Sequence, residues 1–282
     1  MNPRVLLLII GSLLLPLGCN GPTGLDPSEF CSDHPDTAIA TFEDANLEAR
    51  IRIGLSFFAE PLTCGLVSGV IGLDGRSWGI TSLVGIQNLT SLTNLFLSNN
   101  SISDIGPLSG LTTLTLLDLA HNSITDISAV SGLTSLGVLD LDDNSITDIS
   151  AVSGLTSLGQ LVLAHNSITD IGALSGLTSL GGLGLDNNSI TDISALSGLT
   201  SLWALGLSNN SITDISALSG LGGPVNLSID LSSNPGLSNI QPLLDNTGLG
   251  AADRVDLQST NVSCTDVAAL QAKGVNVQSD CP

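Results

Sequence analysis

From Leu89 onward the hydrophobic positions recur every 22 residues, starting again at Leu111, Leu133, Leu155, Leu177 and Leu199. The unit reads L-x-x-L-x-x-L-x-L-x-x-N-S-I-T-D-I-x-x-L-S-G. In the unit 133–154, Leu139 and Leu141 alternate as a short strand with one buried face. Ile146, Ile149 and Val152 follow at spacing three, as a 3-10 turn would place them. One unit cannot bury its own apolar stripe, but stacked units can. The pattern therefore predicts an α/β solenoid, with short parallel strands on its concave side and 3-10 turns on its convex side.

Degenerate units flank the regular ones. Val67, Val70, Leu73, Ile80, Leu83 and Ile86 keep the register one unit upstream, with Trp78 in place of the asparagine. Downstream, Ile229-Asp230-Leu231 precedes Asn234 after a two-residue insertion, and Val255-Asp256-Leu257 puts Thr260 at the asparagine position. About nine coils result, roughly 40 Å of strands stacked at about 4.8 Å each. Leu47, Ile51, Leu55 and Phe58 share one helical face suited to plugging the open end of the core. A C-terminal helix is expected over 266–273, stopped by Gly274.

The repeat and the segment Phe42-Glu43-Asp44-Ala45-Asn46-Leu47-Glu48-Ala49 resemble the internalin-like leucine-rich-repeat proteins of bacteria, the 22-residue class. The resemblance covers residues 42–277. It implies a leucine-rich-repeat horseshoe, a helical N-terminal cap and an extracellular binding scaffold.

Two columns of polar residues run through the units. Asn100, Asn122, Asn144, Asn166, Asn188, Asn210 and Asn234 fall where the chain leaves the strand. There a side-chain amide can satisfy backbone groups that a tight turn strands, a structural role rather than a ligand site. Asp104, Asp126, Asp148, Asp170, Asp192 and Asp214 precede the convex turns and can cap their amides. Calcium bridging between adjacent carboxylates is the alternative, but the unit lacks the dense oxygen spacing of calcium loops.

The N-terminus reads as an export signal, with Arg4 ahead of the uncharged apolar run 5–17. A helix of that length spans roughly 20 Å, short of the bilayer's hydrocarbon core of about 30 Å. Leu15-Pro16-Leu17-Gly18-Cys19 resembles a lipobox, which implies lipidation of Cys19; Pro16 departs from the leucine favoured there. Asn20 after the cysteine is compatible with outer-membrane sorting. Lipidation of Cys19 also removes the odd member from the five cysteines, leaving Cys31 to pair with Cys64 and Cys264 with Cys281 by position. Two other connectivities exist, but they would tie the two ends of a rod together. The chain divides into a signal peptide at 1–18, a lipid-anchored flexible tether at 19–40, an N-terminal helical cap at 41–66, repeats at 67–262 and a C-terminal cap at 263–282.

Composition narrows the partner. The formal charge is −20 with 2% aromatics, and losing a leader that carries Arg4 makes it more negative. A nucleic-acid phosphate backbone needs a basic footprint, so nucleic acid is disfavoured, and an anionic membrane surface likewise, leaving the lipid as the only membrane link. A protein or a glycan remains, met by a monomer through the concave face.

The residue between the two strand leucines is Asp74, Phe96, Asp118, Asp140, Val162, Gly184, Gly206, Asp230 and Asp256 in successive coils. Arg76, Asp142, Asp186 and Gln258 lie beside this column, with Trp203 at a strand edge and Arg254 nearby. The face reads as acidic at both ends and nearly bare in the middle, short of the aromatic and arginine anchors of tight interfaces.

His121, Asp143 and His165 share one repeat position, which raises a metal-dependent hydrolase as a distant alternative. The histidines stand about 10 Å apart by coil spacing, where shared zinc ligation would bring their nitrogens within roughly 4 Å. No hydrolase or phosphate-binding motif occurs. The sequence points to a non-enzymatic binding or adhesion scaffold of the cell envelope, without cofactor or metal. A mainly structural envelope protein is the first competitor.

Overall fold

The computed structural model describes residues 24–56, 60–222 and 226–282. The leader, Cys19 and Phe58 lie outside them. Ten short strands form one parallel sheet in strictly sequential order. They are β1 (Gly72–Asp74), β2 (Asn94–Phe96), β3 (Leu116–Asp118), β4 (Val138–Asp140), β5 (Gln160–Val162), β6 (Gly182–Gly184), β7 (Ala204–Gly206), β8 (Ser228–Asp230), β9 (Arg254–Asp256) and β10 (Asn276–Gln278). The central residue of each strand from β1 to β9 is apolar and buried, and its neighbours face outward. From Gly106–Leu108 to Ser216–Leu218, 3-10 turns return the chain along the opposite side. The leucines and isoleucines between the two layers form one continuous core.

Register follows the repeat. Leu139 pairs with Leu117 and Leu161, each 22 residues away. The insertion before Asn234 is absorbed without disturbing the sheet, because Ile229 still pairs with Leu205. The tenth strand was not legible as a coil. Its Val277 pairs with Val255, so the C-terminal cap contributes a strand as well as a helix.

Each ladder asparagine binds two coils together. Asn144 Nδ2 donates to the carbonyls of Leu141 and Asp142 in its own coil and of Leu119 in the preceding one. Asn100, Asn122, Asn166, Asn188, Asn210 and Asn234 make the corresponding contacts. Thr260 keeps only the contact to its own coil, donating to the Leu257 carbonyl at 2.7 Å. Just before each asparagine the backbone turns left-handed, at Asn99, His121, Asp143, His165, Asn187, Asn209 and, before Asn234, Ser233. Asparagine, aspartate and histidine are the non-glycine residues that accept this conformation most readily. The shared position of the two histidines thus has a backbone explanation.

On the convex side, the Oδ1 atoms of Asp104, Asp126, Asp148, Asp170, Asp192 and Asp214 accept the amide two residues on, at 2.7–2.8 Å. Helix α1 (Ala45–Leu55) buries Leu47 and Ile51 against the first coil and is N-capped by Asp44. The same carboxylate accepts the amides of Thr81 and Ser82, which locks the cap to the repeats.

Residues 24–40, which the sequence assigns to the tether, are folded onto this cap. Leu25 N donates to the Ile39 carbonyl at 2.9 Å, Cys31 N to Asn88 Oδ1 at 2.7 Å, and Cys31 is disulfide-bonded to Cys64 in helix α2 (Cys64–Ser68). Alternation is absent here because polar side chains and a disulfide, rather than a stripe of leucines, hold the segment.

At the other end lie helix α3 (Gln241–Asp245) and helix α4 (Cys264–Ala272). The latter starts two residues before the predicted 266, because Ser263 caps it by accepting from the Asp266 amide. Cys264 is bonded to Cys281. Among the described residues no buried side-chain polar atom lacks a partner.

Candidate binding face

The register aligns Asp74, Phe96, Asp118, Asp140, Val162, Gly184, Gly206, Asp230 and Asp256 in one column on the exposed face of the sheet. Gln278 extends it on β10. Five of these aspartates also hold the turn that ends their own strand. Asp74, Asp118, Asp140, Asp230 and Asp256 accept the amides of Arg76, Ala120, Asp142, Ser232 and Gln258, at 2.9–3.2 Å. That local bond carries no periodic hydrophobic signal, so the sequence could not separate it from a ligand-binding role.

Where glycine replaces the aspartate, a neighbour compensates. A side chain at Gly206 would collide with the Asp186 carboxylate, which swings into that space. Asp186 Oδ1 there accepts both the amide and the hydroxyl of Ser208, at 2.9 and 2.8 Å.

At the N-terminal end the exposed cation is engaged. Arg76 grips Asp74 through Nε and Nη2 at 2.9 and 2.7 Å, with its guanidinium 5.1 Å from the Phe96 ring centroid. The hydrogen bonds from Arg76 hold the Asp74 carboxyl down at about 2. At the other end Arg254 Nη2 donates to Gln278 Oε1 at 2.6 Å and lies 3.8 Å from Asp256. Burial, reinforced by the charges of Asp118 and Asp142, raises the Asp140 carboxyl above its ordinary value.

The middle of the face is a shallow, open depression. A groove of about 510 Å³ crosses β5 to β8, floored by Val162, Ala164, Ala204 and Gly206 and rimmed by Asp142, His165, Asp186 and Asp230. At the opposite strand edge the Trp203 indole lies over Gly181 and Gly182 and remains 44% exposed, an open aromatic surface. Its seat depends on two glycines one coil upstream, a relation visible only once the units are stacked.

The two histidines flank one carboxylate: His121 Nε2 lies 3.9 Å from Asp142 Oδ2, and His165 reaches Asp142 Oδ1 from the following coil. His121 Nδ1 lies 2.7 Å from Asp143 Oδ2, and His165 Nδ1 lies 2.9 Å from Asp142 Oδ1. His165 Nε2 faces the Asn187 amide at 3.0 Å, and Asn187 in turn accepts from Asn209. The hydrogen bond to Asp143, with the charges of Asp142 and Asp140, raises the His121 imidazole above its ordinary value. Among the described residues no group of three or more His, Cys, Asp or Glu side chains is arranged to hold a metal ion.

This architecture defines a leucine-rich-repeat solenoid with disulfide-closed ends. Models described as "Leucine Rich repeats (2 copies)" match residues 90–131 and 112–157, and a model described as "Leucine rich repeat" matches 138–190 and 160–212. A search of curated proteins finds no match. Among solved structures the chain is similar to internalin C2 of Listeria monocytogenes, at 30% identity and a TM-score of 0.66, covering 84% of this chain and 93% of that one. It is also similar to the internalin InlF of the same organism, at 27% identity and a TM-score of 0.50, covering 85% and 90%. The functional domain of Listeria monocytogenes InlJ shares the fold at 23% identity and a TM-score of 0.55, covering 84% of this chain and 59% of that one. The chain belongs to the internalin-like leucine-rich-repeat family.

Proposed function

We propose that this chain is an exported, non-enzymatic binding module that recognises a partner protein through the concave sheet, tethered to the cell envelope by a lipid on Cys19. The rigid sheet face, unpartnered and hollowed between β5 and β8, carries the reading. Side chains on such a face are held by the ladder beneath it, so binding orders little of the protein. The two disulfides support an oxidising compartment, and no helix among the described residues is long and apolar enough to cross a membrane. Scaffold and charge together favour binding over catalysis.

The experiment is photo-crosslinking in the native envelope, with the reactive side chain placed at Val162 on the concave face or at Ser131 on the convex side. A protein captured from Val162 and not from Ser131 is the expected result. Capture from neither position favours the competing reading, a mainly structural envelope protein, which draws support from the five concave aspartates already committed to their own turns.

A further inference from the structure

We infer that the groove over β5 to β8 takes an extended basic segment of the partner protein, lysine or arginine side chains reaching Asp142, Asp186 and Asp230. The inference rests on the concave-face reading above and names the chemistry of its occupant.

Charge carries it furthest. Between Arg76 and Arg254 the chain holds fourteen aspartates and neither lysine nor arginine. The two arginines that bound this stretch are engaged with Asp74 and with Gln278. No cation other than a histidine can therefore neutralise the groove from within the repeats. Asp186 and Asp230, both lining the groove, use only Oδ1 on a neighbouring amide or hydroxyl, while Asp142 lies between His165 and His121 at 2.9 and 3.9 Å. Asp142 also adds repulsion along the face: after burial, its charge and that of Asp118 raise the neighbouring Asp140 carboxyl. A cation arriving with the partner relieves that repulsion and is steered by the field of the whole solenoid.

Shape agrees. Crossing from β5 to β8 takes three strand spacings, about 14 Å, which about four residues of extended chain would span. The small floor residues let a backbone lie close to the sheet. Trp203 lies outside the groove lining, over Gly181 and Gly182, and its exposed indole can take a guanidinium or the stem of a lysine at the edge of the bound segment. A neutral sugar could use the same indole but would gain nothing from the missing cations.

The test measures fluorescence anisotropy of three labelled probes with the full chain: a short peptide alternating lysine and threonine, its glutamate counterpart, and a linear neutral gluco-oligosaccharide. Only the basic peptide should bind, more weakly as salt rises. The double variant Asp186→Asn/Asp230→Asn keeps both hydrogen-bond acceptors and should weaken binding about ten-fold, whereas Asp126→Asn/Asp148→Asn on the convex side should change it less than about two-fold. Ala204→Leu, which adds bulk to the groove lining without altering charge, should also weaken it. Equal losses from the two double variants, or binding of the oligosaccharide in place of the basic peptide, would overturn the inference. If no probe binds while crosslinking from Val162 still captures a protein, the basic-segment inference fails and the concave-face reading stands. If the peptide binds but nothing is captured, the groove chemistry stands and the reading of the whole molecule fails.

Discussion

The side-chain amide of Asn144 donates to the carbonyl of Leu119 in the preceding coil at 3.1 Å, while its Oδ1 accepts the amide of Ile124 at 3.0 Å. One side chain thus serves both donors and acceptors that the turn between strand and convex side cannot pair by itself. Replacing it with alanine strands those groups at a half-buried site. Asn144→Ala should cost about 1–3 kcal/mol, read as a lower midpoint in urea or on heating. Gly137→Ala makes the control: its added methyl comes no nearer than 3.7 Å to the Thr115 carbonyl, and the midpoint should hardly move. Equal behaviour of the two variants would remove the ladder from the account of stability.

Legibility tracked periodicity. Leu139, Asn144 and Asp148 recur at fixed positions, so their strand, ladder and turn roles are legible in the sequence. The same logic failed where structure rests on single contacts. Leu25, Cys31 and Asn88 secure the segment before the first helix without repeating, and β10 follows a cap helix instead of a leucine unit. The groove escaped for a third reason. Gly184 and Gly206 look like missing side chains in one dimension, and only stacking shows that Asp186 moves into the gap and that Trp203 settles on Gly181.

His121 gains a partner on folding, since Asp143 accepts from its imidazolium and Asp142 and Asp140 lie close. Its folded pKa therefore lies above 6.5. A raised imidazole stabilises the fold fully below the unfolded value, and the contribution is lost as pH rises through the folded value. Proton NMR of the imidazole should show the midpoint above 6.5, and Asp143→Asn should bring it down. A wild-type midpoint at or below 6.5 would contradict the geometry.

Asp140 runs the other way. Burial and the neighbouring charges of Asp118 and Asp142 raise its carboxyl above 3.8, so holding it ionised costs more in the fold than in the unfolded chain. Its contribution favours folding below 3.8 and is lost as pH rises through the folded value. Asp140→Asn keeps an acceptor for the Asp142 amide, now 3.0 Å away, and removes the charge. The variant should melt higher than wild type at pH 7, with the gain gone near pH 3. A lower midpoint at pH 7 would mean that a salt bridge or ion outweighs the repulsion.

Cys19 is the anchor only if an acyl chain is attached there. Metabolic labelling with a fatty acid should mark the wild-type chain and fail to mark Cys19→Ser, and the variant should move from the membrane fraction to the soluble one. Label that survives the substitution would place the lipid elsewhere.

Lys273 closes the far end by a charge rather than by packing alone. Its Nζ donates to the carbonyls of Leu243, Leu244 and Asn246, at 3.0, 2.8 and 2.5 Å, which satisfies the C-terminal turn of α3 from the end of α4. As the last carbonyls of a helix they have no intrahelical partner, so this turn depends on a side chain sent back from the following coil. Lys273→Met keeps the stem and removes the donors, at a cost of about 1–3 kcal/mol. A solenoid couples only neighbouring coils, so the loss should stay local. Hydrogen exchange should speed up at Val267, Leu270 and Val277 and remain unchanged at Leu117 and Leu139. Uniform acceleration along the chain would show instead that the cap and the repeats unfold as one unit, and that Lys273 holds the whole sheet together.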